Sequence, residues 1–310
     1  MSGSVRASAA WSRRVVLGTG AAGLTALLVG CGTDGTAPRP AGRGRTTDNG
    51  AVPIYHYGDG PSQFAELSLP SGSSLVPAVV IVHGGFWRTQ YGAELGRPLA
   101  ADLVRRGWAA LNVEYRRVGP GSSAGGGGWP ATALDVAAAV DGLAVAGQRI
   151  AGGRLDLSRV VGLGHSAGGQ LVGWLAARVG LPADAPGADP QVRLSGVVSQ
   201  AGVLDLAGGS RAGLGAGAVD NFLGGSPNNR PEAYALASPL ARLPLRVPSV
   251  CVHGTGDDVV PIEQSETFVA AAQQAGDRSE LRSFDGDHLE PVDPRTQAWE
   301  LCVEALQELL

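Results

Sequence analysis

The sequence predicts an α/β chain: a mostly parallel central sheet with helices on both faces. Three observations predict it. Short, uninterrupted apolar runs such as Ala78-Val79-Val80-Ile81-Val82 are what a strand buried on both faces requires. Longer stretches with helical spacing separate these runs, so strand and helix patterns alternate along the chain. Three of the runs end in glycine-rich turns that carry histidine, serine or aspartate.

The alternation does not begin at once. Arg13-Arg14 precede an apolar stretch from Val15 to Val29 that is interrupted by glycines. The stretch is short of the ~20 apolar residues a membrane span needs, and its form resembles a twin-arginine export signal. Leu28-Val29-Gly30-Cys31 resembles a bacterial lipobox, in which Cys31 takes the lipid and becomes the first residue of the mature chain. Several acyl chains at one residue anchor a protein stably where a single chain does not. Residues 1–30 are therefore expected to be an export signal and 31–51 a lipid-anchored tether without apolar periodicity. The expected location is the outer face of the bacterial cell membrane, with Cys31 as the membrane contact. Gly18-Thr19-Gly20-Ala21-Ala22-Gly23 fits a dinucleotide-binding pattern, but it lies inside the signal with no strand before it, and it is set aside.

From residue 52 onward the elements follow in order. After the strand at 78–82, helical spacing over 92–106 ends at Gly107, and 108–113 is the next strand. A helix over 130–146 leads to a strand at 159–163 and a helix at 167–179. Strands are expected at 194–199, 249–252 and 281–284, with helices at 262–275 and 295–309. The insert 203–247 reads as short helices, with no large lid domain. Pro53-Ile54-Tyr55-His56-Tyr57 lies ahead of the core strands, and His56 reads as an ordinary strand residue.

Composition excludes several chemistries. None of the 310 residues is lysine; all 24 cations are arginine. A P-loop, a protein kinase, a Schiff-base enzyme and a Ser-Lys hydrolase each need a lysine that this chain lacks. Net charge is −4 and no basic stripe appears, which disfavours a nucleic-acid partner. The five histidines show no metal-ligand spacing, so neither a metal nor a cofactor is expected. Cys251 and Cys302 can be either a disulfide or two buried thiols.

The strand at 159–163 ends in Gly164-His165-Ser166-Ala167-Gly168 before a helix, and this strand-to-helix context gives a G-x-S-x-G pattern its meaning. A sharp turn lifts the serine oxygen above the sheet, and flanking side chains would collide with backbone. The strand at 78–82 ends in His83-Gly84-Gly85-Phe86-Trp87, whose glycines let backbone N–H groups approach a ligand. The strand near 250 ends in His253-Gly254-Thr255-Gly256-Asp257-Asp258-Val259-Val260-Pro261, and the last strand is followed by Asp287-His288.

With these four motifs in place, the chain from about 52 to 310 resembles an α/β-hydrolase. More narrowly, it is similar to the lipase/esterase group that includes arylformamidases and feruloyl or acetyl-xylan esterases. The resemblance implies Ser166 as nucleophile, His288 as general base and Asp257 as the acid that orients it, with Asp258 the alternative one residue along. It implies an oxyanion hole from the N–H groups of Gly85, Phe86 and Ala167, with Phe86 replacing the family's third glycine, and gives His83 a bracing role. The implied function is serine hydrolysis of small or moderate acyl esters through an acyl-enzyme, with a small-molecule ester as partner. His83-Gly84-Gly85-Phe86-Trp87 is also close to the H-G-G-x-W of arylformamidases, which makes formamide cleavage the second reading. An inactive, lipid-anchored binding protein on the same scaffold is the reading of a different class. Trp87, Tyr91 and Trp129 are candidates for the pocket wall, and the loop 121–128 is expected at its rim.

Overall fold

The computed structural model describes residues 52–120 and 125–310. The expected signal, Cys31 and tether, and the first four residues of the rim loop, lie outside them. Among the described residues eight strands form one sheet: β1 Ile54–His56, β2 Phe64–Ser68, β3 Val76–Val82, β4 Ala109–Val113, β5 Leu155–His165, β6 Gly196–Gln200, β7 Ser249–Gly254 and β8 Ser279–Phe284, in the order β1-β2-β4-β3-β5-β6-β7-β8. From β4 to β8 every neighbouring pair is parallel. β1 and β2 pair with each other, and β2 with β4, in antiparallel fashion, which adds a two-strand edge; His56 lies in β1, as expected of a strand residue, while β2 was not expected.

The side-chain alternation of β3 shows why its run is apolar throughout. Ala78, Val80 and Val82 point into one core, with α2 Ala131–Asp141, α4 Ala167–Ala177 and α8 Glu263–Gln274 packed over it. Val79 and Ile81 point into the other, under α1 Arg97–Arg105 and α9 Gln297–Leu309. On α9 the buried Trp299, Cys302, Val303 and Leu306 follow helical spacing, and Thr296 caps the helix by accepting from Trp299 N at 3.1 Å. Trp299 Nε1 also donates to Asp102 Oδ2 at 2.7 Å, fastening α9 to α1.

Several boundaries differ from expectation for local reasons. The stretch 92–106 is a 3₁₀ turn, Ala93–Leu95, followed by α1, and it breaks at Gly96, where Asn112 Oδ1 lies against the backbone. The stretch 130–146 divides into α2, a 3₁₀ turn at Gly142–Ala144 and α3 Ala146–Ala151. The insert holds three short helices, α5 Leu206–Arg211, α6 Leu214–Leu223 and α7 Pro231–Ala237, whose apolar residues join the first core. Cys251 and Cys302 are free, buried, and in the two different cores, so the disulfide alternative falls. Burial pushes both thiols up to about 12. No helix among the described residues is long and apolar enough to cross a membrane.

Candidate active site

Ser166 stands between β5 and α4 with φ 54° and ψ −116°, a backbone conformation that costs energy for a residue with a Cβ. The turn is locked on both sides: Ser166 N donates to Gln200 O at 2.8 Å, and Ser166 O accepts from Gly169 N at 3.0 Å. The glycines of the motif are there for space. A Cβ on Gly168 would collide with Val82 O, and one on Gly164 with Gly168 O. At the head of α4, Ser166 also sits where the helix dipole favours negative charge.

The loop after β3 lies directly across. A Cβ on Gly84 would come within 3.1 Å of Ser166 Cβ. Gly85, Phe86 and Trp87 then take positive φ in succession, at 109°, 53° and 54°. Successive left-handed residues curl the backbone so that its N–H groups can converge on an anion. His83 braces the loop from behind. It is fully buried, its Nδ1 meets Gly84 O at 2.8 Å, and its ring stacks on Tyr115 at 4.3 Å, while Tyr115 Oη donates to His83 O at 2.8 Å. Burial disfavours the imidazolium and holds His83 down at about 3.

Asp257 follows β7 and its carboxylate is fully enclosed. Oδ1 accepts from Val259 N at 2.9 Å and Val260 N at 2.8 Å. Oδ2 takes His288 Nδ1 at 2.6 Å and lies 3.2 Å from His253 Nε2. Burial alone would raise this carboxyl, but the bonds from His253, His288 and the Val260 N–H outweigh it and hold Asp257 well below the usual carboxylate range. Asp258 is exposed, so it is Asp257 that the structure brings to His288. Two further histidines, which sequence reasoning assigned only to glycine-flanked turns, take part. His253 Nδ1 meets Ser265 Oγ at 2.7 Å, and its Nε2 meets Val260 O at 2.9 Å on the flank of the Asp257 carboxylate. His165 Nε2 donates to His288 O at 2.9 Å, and its pKa is lowered to about 3, chiefly by burial and then by the neighbouring His288.

Ser166, His288, Gly85 and Phe86 line one cavity of about 620 Å³. Of the three expected wall aromatics only Tyr91 lines it. Trp87 is corrected to a core residue: it is fully buried, stacks on Phe222 at 4.5 Å and donates from Nε1 to Gln170 Oε1 at 3.1 Å. Trp129 stands edge-on to Trp174 at 5.8 Å and lines a separate depression with Arg230 and Leu236. Its indole is held there by the Trp174 ring, away from Ser166. Among the described residues no three histidine, cysteine or acidic side chains come together as metal donors.

Comparison with known proteins bears on the family and the fold. The chain is 28% identical over 227 residues to "Esterase LipC" of Mycobacterium tuberculosis, covering 69% of this chain and 53% of that protein. It is 28% identical over 255 residues to isoprenylcysteine alpha-carbonyl methylesterase ICME of Arabidopsis thaliana, covering 74% and 54%. The chain thus spans about half the length of these curated relatives. Among solved structures, esterase Est2 of Thermogutta terrifontis with butyrate bound superposes with a TM-score of 0.65 at 23% identity, over 84% of this chain and 93% of that one, which shows the α/β-hydrolase fold. The family model BD-FAE matches residues 66–271, a segment that includes Ser166 and Asp257, and the chain belongs to the BD-FAE family.

Proposed function

We propose that the chain is a serine hydrolase of carboxylic esters. The observation that carries the reading is the 2.6 Å bond between His288 Nδ1 and Asp257 Oδ2, with His288 and Ser166 on one cavity facing the glycine loop. His288 Nε2 takes the proton of Ser166 as the serine oxygen attacks the acyl carbon. The carbonyl oxygen becomes an oxyanion, which the N–H groups of Gly85, Phe86 and Ala167 stabilise. His288 then gives its proton to the leaving alcohol, and the acyl group stays on Ser166. Water, deprotonated by the same imidazole, releases the acid and restores the serine. Asp257 keeps the Nδ1–H tautomer throughout and offsets the imidazolium charge.

The experiment is covalent labelling of the protein with a fluorophosphonate. Ser166 takes the label and Ser166→Ala does not; an unlabelled native protein overturns the reading. Formamide cleavage stays second because Trp87, which carries the likeness to arylformamidases, is packed against Phe222 away from the cavity. Short p-nitrophenyl esters are therefore expected to be cleaved faster than an N-formyl arylamine. Export and anchoring through Cys31 are part of the same proposal. They rest on Arg13-Arg14 and Leu28-Val29-Gly30-Cys31, and Cys31→Ala is expected to move the protein out of the membrane fraction.

A further inference from the structure

Three exposed, large apolar side chains gather at one place on the surface. Tyr91 is 44% exposed, Leu95 43% and Leu289 62%, and all three line the cavity that holds Ser166 and His288. They come from two separate segments, Tyr91 and Leu95 from the connection between β3 and α1, Leu289 from the residue after His288. Deeper in, Leu99, Val259 and Val292 continue the apolar lining. Apolar surface that gathers at the mouth of a site, uncovered by the chain's own packing, marks a place where a ligand is covered instead.

One carboxylate interrupts this lining. Glu94 faces the cavity and is exposed. Two cations that feel its charge are committed elsewhere, Arg97 to Glu66 at 2.8 Å and Arg117 to Glu114. His83 and His165, which share the wall, are buried and neutral, with both pKa values lowered to about 3. No cation on the cavity wall offsets Glu94 while His288 is neutral.

We propose that this mouth is a substrate filter: Tyr91, Leu95 and Leu289 cover the uncharged, apolar group of an ester, while Glu94 turns away esters that carry an anion there. The inference rests on the esterase reading of the same cavity. Each methylene fully removed from water is worth about fourfold in kcat/KM until the space is filled. A substrate carboxylate placed near Glu94 loses roughly fivefold, and less in high salt.

Two series of esters test it, one lengthening the acyl chain at a fixed p-nitrophenol and one lengthening the alcohol of an acetate. In at least one series kcat/KM rises several-fold with chain length, and the double variant Leu95→Ser, Leu289→Ser flattens that rise. On that same side, an ester bearing a terminal carboxylate is matched with an uncharged ester of equal length. The native protein prefers the uncharged one, and Glu94→Gln narrows the preference about fivefold at low salt. These three side chains are exposed, and unchanged thermal unfolding of the variants shows that the fold is kept. Flat responses in both series, an unaltered slope in the double variant, or an unaltered charge preference in Glu94→Gln each overturn the filter. If esters are turned over and these ratios do not move, the filter alone fails. If no ester is turned over and Ser166 takes no fluorophosphonate, the esterase reading fails and the filter with it.

Discussion

Two strands of this sheet end in the same dipeptide and use it differently. β3 runs into His83-Gly84 and β7 ends in His253-Gly254, and both imidazoles are buried. His83 turns back on its own loop, meeting Gly84 O at 2.8 Å, and its stacking partner is Tyr115. His253 turns forward, anchored by Ser265 Oγ at 2.7 Å, and reaches 3.2 Å from the Asp257 carboxylate. Each ring meets backbone and charge, His83 Nε2 lying 3.3 Å from Arg117 Nη1 and His253 Nε2 2.9 Å from Val260 O, but only His253 touches the carboxylate that is bonded to His288. The local pattern sets the turn, and the residues across from it set the role.

Breaking the charge side gives the largest effect. Three hydrogen bonds converge on Asp257, two from backbone N–H groups to Oδ1 and one from His288 to Oδ2, and His253 Nε2, which meets Val260 O at 2.9 Å, lies 3.2 Å from Oδ2. An asparagine has one acceptor oxygen to offer them. Turned one way, its NH₂ opposes the Val259 and Val260 N–H groups; turned the other, it opposes His288, which loses the acceptor that fixes its tautomer. Asp257→Asn is expected to lower kcat by about 10⁴ with KM little changed. Steady-state kinetics on a short ester measure it, and a loss below tenfold would remove Asp257 from the proposed machinery.

His253→Leu tests the ring beside Oδ2, whose Nε2 serves the Val260 carbonyl and the Asp257 charge together. Losing a polar contact with a charged group is worth about 1.5–3 kcal/mol, so kcat is expected to fall by about tenfold or more while KM holds. His253→Gln keeps an N–H that can reach Asp257 and is expected to retain most of the activity. Equal losses in the two variants would reduce His253 to packing.

The histidines held neutral give the next effect, on stability. For His83 and His165 the folded pKa is lowered to about 3 from an ordinary 6.5, so below 6.5 the unfolded chain binds protons that the fold refuses. Their contribution is complete above pH 6.5 and is lost as pH falls toward 3. Asp257, also lowered, acts in the same direction below the ordinary carboxylate range. The melting temperature is expected to fall steadily from pH 6.5 to 4. His165→Gln, which can keep a donor toward His288 O, is expected to flatten that slope. An equal slope in the variant would mean that other groups carry the acid sensitivity.

What the sequence showed, and what it hid, follows from the same distinction. The parallel strands were legible because burial on both faces leaves an unbroken apolar signature, as in β3. β2 was not, since Phe64-Ala65-Glu66-Leu67-Ser68 carries a buried acid whose partners, Arg97 and Asn112, lie far along the chain. The turns at Ser166 and Gly84 were legible because crowding demands glycine at fixed positions. The direction of Trp87 was not: positive φ at Phe86 and Trp87 sends the indole into the core, and nothing in the residue types announces it. Glu94 gave no signal either, because a lone acid in an amphipathic stretch reads as a solvated residue.

The shape side of the comparison yields the smallest effect, and it decides whether the two histidines differ in kind. Tyr115 Oη donates to His83 O at 2.8 Å, and the two rings stack at 4.3 Å. Tyr115→Phe keeps the stack and removes the donor, leaving a buried carbonyl short of a partner. The cost is about 1 kcal/mol of stability, or roughly 2–4 °C in the melting temperature for a domain of this size. Because His83 stays in its ring stack and its Nδ1 still meets Gly84 O, kcat is expected to fall less than in His253→Leu. Thermal unfolding and ester kinetics on the one variant read both quantities. A kcat loss as large as that of His253→Leu would mean that the shape of the loop governs turnover as strongly as the charge on Asp257, and the contrast between the two His-Gly turns would collapse.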